Sequence, residues 1–310
     1  MRNAFIDTLY SLAYEDERIM ALVGDAGAVV FDKFKKDFPN RCFNLGIAES
    51  NMITVAAGLA SRGFTPFTYA IAPHITLRPY EQIRNDVCLN NTNVKIVSVG
   101  SGIHYGNQGP THHGIEDFAV LKVLPNMTIF SPTDPVEAKK VTDAAAKIKG
   151  PVYIRIGSRN PSAPNIYAQD YDFKVGKGVQ LCEGDDATIL ATGSLVSEAM
   201  AAAQELQQSN ISTRVINIHT IKPLDKDIIL KAANETGVVV TMEEHQLAGG
   251  FGESVASVIL EGTTKPVLFK RIGIEDVFCS FYGTYLEVKG HYNLTKENLI
   301  HQVKHLHQRK

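Results

Sequence analysis

The chain has 310 residues, 44% of them hydrophobic and 21% charged, with a formal net charge of −2. That length suggests about two domains, and the composition is ordinary for a soluble globular protein. The charge balance gives no basic field for nucleic acid and no polybasic patch for a membrane surface. Four scattered cysteines (Cys42, Cys88, Cys182, Cys279) form no Cys-x-x-Cys pair. Their pattern predicts free thiols in a reducing compartment, taken here as the cytoplasm, and argues against a zinc site. No apolar run approaches membrane-spanning length, and charge at Arg2 and Asp7 comes too early for a secretion signal.

In chain order, Phe5, Leu9, Leu12 and Ala13 lie on one face of a helix predicted over 2–14, and 19–23 is a short apolar strand broken by Gly24-Asp25-Ala26-Gly27. Gly46 marks a tight turn before a small, apolar helix that runs to Leu59. Strands are predicted over 64–69, 94–99, 128–131 and 151–156. Helices are predicted over 79–89, from about 115, and after Thr133-Asp134-Pro135, where proline suits the first helical position. The alternation predicts a parallel sheet covered on both faces. Pro161, Pro164 and weak periodicity mark a linker. A second α/β unit follows, with strands at 187–192, 213–218, 238–242 and 267–272 and helices at 195–206, from Asp225 to Gly237, at 253–260 and at 295–307. The fold class is therefore α/β: two consecutive open, mostly parallel sheets with helices on both faces. The domains are taken as 1–160 and 181–310, joined by the linker 161–180.

Three stretches offer chemistry. Glu49 falls in the first turn of the apolar helix, where the helix dipole favours a carboxylate but burial without a partner is costly; a plain capping role is the alternative. The loop Gly106-Asn107-Gln108-Gly109-Pro110-Thr111-His112-His113-Gly114 follows a parallel strand's carboxyl end, where open α/β sheets keep ligands. Its histidine pair suits acid–base work near neutral pH, or is simply a solvated loop feature. Gly249-Gly250-Phe251-Gly252 could bind phosphate at a helix start, but the preceding Glu243-Glu244 would repel an anion, so these glycines are read as packing residues. Gly24-Asp25-Ala26, with Asn51 downstream, imitates a metal–diphosphate motif, yet Ala26 stands where that motif needs glycine.

The run Phe43–Met52, the loop Gly109-Pro110-Thr111-His112-His113-Gly114 and Leu124-Pro125-Asn126…Pro132-Thr133-Asp134 resemble the pyrimidine-binding domain of transketolases and 1-deoxyxylulose-5-phosphate synthases. Lys222-Pro223-Leu224-Asp225 and Glu243–Gly252 resemble the C-terminal domain of the same enzymes. The family's N-terminal domain, with its Gly-Asp-Gly…Asn-Asn motif for Mg²⁺ and diphosphate, has no counterpart here. The chain thus resembles the C-terminal subunit of a split transketolase, which transfers a two-carbon ketol unit from a ketose to an aldose. The resemblance implies thiamine diphosphate shared with an N-terminal partner subunit that holds Mg²⁺, in an α2β2 heterotetramer. It makes Glu49 the carboxylate that hydrogen-bonds the cofactor's aminopyrimidine ring, and His112 a catalytic histidine that contacts substrate hydroxyls or a developing oxyanion. Asp25, Ile71, His74 and Arg78 become further cofactor-side candidates. Arg2, Gln108, Arg155 and Arg159 become substrate-side candidates, the last two as alternatives for one phosphate-binding arginine. No metal ligand is assigned to this chain.

Four positions, in three departures, differ from the family. Ile71 and His74 stand where two phenylalanines hold the pyrimidine ring. Gly100 replaces a sugar-reaching histidine, which removes a contact and opens space. Gln108 replaces an acidic residue that reads a sugar hydroxyl. These departures point to an atypical sugar substrate. The competing readings are the beta subunit of a 2-oxoacid dehydrogenase, which shares the plan and the glutamate, and a non-catalytic regulatory subunit.

Overall fold

The computed structural model describes residues 1–25, 27–157, 165–168 and 170–310. Seven strands build the first sheet: β1 (Ile19–Val23), β2 (Cys42–Asn44), β3 (Thr65–Ile71), β4 (Lys95–Val99), β5 (Thr128–Phe130), β6 (Val152–Ile156) and, from far downstream, a strand at Thr220–Lys222. The second sheet has β7 (Val179–Cys182), β8 (Ala187–Ala191), β9 (Thr213–Asn217), then, with Thr220–Lys222 numbered β10, β11 (Val238–Gln246) and β12 (Leu268–Ile274). The orders are β10-β5-β6-β4-β3-β1-β2 and β12-β11-β8-β9-β7. All pairings are parallel except β10 on β5 and β7 on β9, each an edge. Strands β1, β4, β6, β8 and β9 are buried along their whole length, as expected for parallel strands covered by helices on both faces.

Local signals set the helix ends. Asp134 accepts a hydrogen bond from the Glu137 amide ahead of Pro135, and Asp225 does the same for Ile228. Gly237, at φ +64°, ends that second helix in the left-handed region. The helix expected over 79–89 is a short α-turn at Tyr80–Gln82 that widens into a π-helix over Ile83–Leu89. Three strands lie outside the sequence expectations, the short β2 among them. β7 begins inside the stretch taken as linker, and β10 lies only three residues beyond β9 yet joins the other sheet.

That crossover matters for the site, because the C-terminal stretch completes the first sheet and the two halves share a core. One buried cluster runs from Leu22, Met52, Phe118 and Tyr153 to Leu190, Ile216, Val239 and Phe251 without interruption. In a second cluster, Ile103 and Ile115, which flank the histidine loop, are buried among Ala191, Leu195 and Val288 of the C-terminal half.

Candidate active site

The carboxyl ends of β1, β2, β3 and β4 meet along one edge of the first sheet, and the candidate residues collect there. Asn44, the last residue of β2, ties this edge together. Its Oδ1 accepts from the Asp25 amide at 3.2 Å and from the Gly46 amide at 2.9 Å, and its Nδ2 donates to Asp25 Oδ1 at 3.4 Å. Gly46, at φ +73° with open space where a Cβ would stand, turns the chain into the helix Glu49–Ser61. No side chain caps that helix; instead Glu49 sits in its first turn, 3% exposed.

The partner of Glu49 comes from beyond β3. Arg78 Nη1 donates to Glu49 Oε2 at 2.9 Å, and the Arg78 side chain is 47% exposed. Ser50 Oγ bonds the Arg78 carbonyl at 3.4 Å. His74, on the short helix Ala72–Thr76, places Nδ1 4.0 Å from Glu49 Oε1. Burial, and then the Arg78 charge, hold His74 below the ordinary imidazole range against the pull of Glu49. It is therefore neutral near pH 7 and does not offset the carboxylate's charge. The His74 and His112 rings pack edge-on with centroids 5.2 Å apart, and Thr111 Oγ1 fixes His112 through Nδ1 at 2.9 Å. Glu49, Arg78, His74 and His112 thus form one continuous cluster. Gln108 is exposed nearby on the same loop, and Ile71 ends β3, half-buried against the core. Arg2 lies close enough to Tyr69 and Tyr105 for its charge to act on both phenols. Its buried Nε has no hydrogen-bond partner among the described residues.

The histidine loop is held as a closed ring. Gly102 and Gly114 exchange backbone hydrogen bonds at 2.9 Å in both directions. A Cβ on Gly109 would come within 2.3 Å of the Tyr282 ring, and one on Gly106 within 2.7 Å of the Gly283 carbonyl, so the C-terminal half braces the loop's outer side.

Two expectations change. Gly100 does not open space: a Cβ there would lie 1.9 Å from Cε2 of Tyr105, whose ring already fills the place. Arg155 does not face the site either. It is 6% exposed, donates from Nε to Asp117 Oδ2 at 2.7 Å and from Nη2 to the carbonyls of Gly114 at 2.9 Å and Glu244 at 2.8 Å, and stacks on Phe118. It fastens the loop to the C-terminal half. Arg159 lies outside the described residues. The glycine-rich run behaves as read: Glu243 occupies the start of the helix Phe251–Gly262, accepting from the amides of Phe251 at 2.6 Å and Gly252 at 2.7 Å. Asn44 and Tyr105 were not singled out in the sequence. Asn44, two residues before a glycine, carries an Asx-turn signal; nothing local marks Tyr105.

Fold and site together define an open, doubly wound α/β protein that presents a buried carboxylate and a histidine loop at the strand ends. Residues 1–162 match the model of the transketolase pyrimidine-binding domain and residues 176–299 that of the transketolase C-terminal domain. The chain is 39% identical to a transketolase C-terminal section of Methanocaldococcus jannaschii, over 98% of this chain and 95% of that one. It is 36% identical to a 6-deoxy-6-sulfo-D-fructose transketolase subunit of Clostridium sp. (strain MSTE9), over 100% of this chain and 95% of that one. Among solved structures, a split-gene transketolase described as an inactive beta4 tetramer superposes with a TM-score of 0.91 at 37% identity, covering 99% of this chain and 98% of that one. The chain belongs to the transketolase family and matches C-terminal sections of split enzymes over nearly their whole length. The family depends on thiamine diphosphate.

Proposed function

We propose that this chain supplies the pyrimidine half of a thiamine-diphosphate site and that a separate N-terminal subunit supplies the rest. The observation that carries this is Glu49, a buried carboxylate at a helix start whose guanidinium partner is half exposed. Phe43, Ile47 and Leu77, at its sequence flanks and beside Arg78, are exposed at 40%, 75% and 42%. A buried acceptor edged by exposed apolar side chains suits an aminopyrimidine ring on one side and a second chain on the other. Glu49 would accept from the ring; Asp25, Ile71, His74 and Arg78 would line the cofactor side. When bound, the cofactor supplies the electron sink for cleaving a carbon–carbon bond next to a carbonyl. His112 would bind a substrate hydroxyl or move its proton, with Gln108 and Arg2 as further substrate contacts. Mg²⁺ and the diphosphate are assigned to the partner, in a cytoplasmic α2β2 assembly.

The reaction is transfer of a two-carbon ketol unit from a ketose to an aldose, and the substrate is an atypical sugar. Gln108 in place of an acidic side chain supports that choice, since it offers N–H donors where a carboxylate could only accept. The Clostridium relative's named substrate, a sulfonated deoxy sugar, supports it too. The test is reconstitution with the N-terminal subunit. The chain alone should show no turnover and weak thiamine diphosphate binding by calorimetry, and the complex should turn over and bind the cofactor tightly. Full activity from the isolated chain would sink the two-subunit reading. A kcat/KM above about 10⁵ M⁻¹s⁻¹ on xylulose 5-phosphate with ribose 5-phosphate would sink the atypical sugar.

A further inference from the structure

The space beside Gly100 belongs to Tyr105, and the fit is mutually exclusive. Ideal Cβ distances of 1.9, 2.2 and 2.7 Å to Cε2, Cδ2 and Cζ leave no room for any side chain at position 100 while the ring is there. Gly100, at φ +72°, also holds a backbone conformation that side chains rarely adopt. The Tyr105 backbone is pinned as well: its carbonyl accepts from the Gln108 amide at 2.8 Å and lies 3.2 Å from His113 Nε2. The ring is half-buried and stands perpendicular to His112, centroid to centroid 6.4 Å. Arg2 acts on the same phenol electrostatically, against the upward push of burial.

We propose that Tyr105 is a specificity-determining residue, forming with His112 and Arg2 the wall that meets the substrate beyond the transferred two carbons. A phenol differs from a small polar side chain in two ways. Its ring face packs against the C–H face of a sugar, and its single hydroxyl reaches one oxygen at a fixed distance. Such a wall favours a ketose whose remote part is deoxygenated, branched or otherwise apolar on one side, with Arg2 near an anionic tail. It disfavours chains that need a polar partner at position 100. The inference rests on the ketol-transfer reading of the same site.

The experiment uses the reconstituted two-subunit enzyme with glycolaldehyde as acceptor and two kinds of donor. One is hydroxypyruvate, which has nothing beyond the ketol unit except a carboxylate. The other is whichever of 6-deoxy-6-sulfo-D-fructose, the ketose named for the Clostridium relative, fructose 6-phosphate and xylulose 5-phosphate is turned over fastest. In Tyr105→Leu, kcat/KM should fall at least about tenfold further on the ketose than on hydroxypyruvate, the range of a lost pocket contact. Tyr105→Phe, which keeps the ring, should show a smaller part of the same bias. Thermal unfolding of both complexes separates selectivity from misfolding, and Tyr105→Phe remains informative if Tyr105→Leu does not assemble. Equal losses on both donors, or none, overturn the role of Tyr105 and leave ketol transfer standing. A wild-type complex that transfers no ketol unit from any donor overturns the functional reading, and this inference with it.

Discussion

Two clusters of ionisable residues lie on either side of the histidine loop, and the sequence flagged members of both. Around Glu49 the polar groups are under-committed: one exposed guanidinium faces the carboxylate, and a neutral imidazole stands 4.0 Å away. Around Asp117 and Glu244 every member found a partner inside the protein. Asp117 Oδ2 accepts from Tyr153 at 2.6 Å and Arg155 at 2.7 Å. Glu244 accepts from Ser194 at 2.9 Å and from Tyr285, whose ring stacks on His104. His245 is 2.7 Å from the Gln246 carbonyl through Nδ1, and its Nε2 accepts from the Ala119 amide at 3.3 Å. The difference teaches that burial and charge alone do not mark a site. A site keeps capacity for an outside group, whereas a structural network spends it on itself.

The largest effect that tests this contrast is chemical. Glu49→Gln should lower turnover of the assembled enzyme by about 10²–10⁴, roughly 3–5 kcal/mol in the barrier. Proton exchange at the cofactor's C2, followed by NMR, reads it, while the thermal midpoint should hardly move. Wild-type exchange would remove Glu49 from the site.

In the saturated cluster, effects should appear as stability. Asp117→Ala strands the Arg155 charge in the interior and should cost about 3–5 kcal/mol, measured by urea unfolding. A loss under about 1 kcal/mol would mean that the network is not the brace described here.

The same cluster should respond to acid. Burial pushes His245 down to about 4 from its ordinary 6.5, against Asp117 and with help from Arg155. The folded pKa is depressed, so the unfolded chain takes up the proton first. The contribution to stability is therefore intact above pH 6.5 and is lost as pH falls from 6.5 towards 4. Glu243, pushed up to about 7 by burial, works in the opposite direction, gaining protons in the folded state as pH falls from 7. The clean measurement is therefore the difference between wild type and His245→Asn at pH 7 and pH 4.5, which should narrow by about 2 kcal/mol. An unchanged gap would show that His245 carries no such linkage.

The smallest effect lies at the open site. Arg78 is half exposed but its partner Glu49 is buried, so the pair stands between an exposed ion pair, worth about 0–1 kcal/mol, and a buried one, whose breaking costs about 3–5 kcal/mol. Arg78→Ala should therefore cost about 1 kcal/mol by urea unfolding while weakening thiamine diphosphate binding in the complex. A stability loss near that of Asp117→Ala would erase the distinction between the two clusters.

The sequence by itself determined the elements that local chemistry controls. Apolar runs gave the buried parallel strands, Asp134-Pro135 and Asp225…Gly237 gave helix ends, and Glu49, His74, Arg78 and His112 were all named as candidates. The repulsion of anions by Glu243-Glu244 correctly left the glycine-rich run to packing. What only the tertiary structure decided are contacts across long separations. β10 has the same pattern as any short strand, and its choice of β5 over its sequence neighbours depends on how the two halves dock. Arg155 looks as available as any arginine until Asp117, Gly114 and Glu244 converge on it from two domains. Gly100 reads as a missing side chain until Tyr105 is seen lying on it. A periodicity records which face of an element is buried; it does not record which partner buries it, and at this site the partner decides between a binding group and a strut.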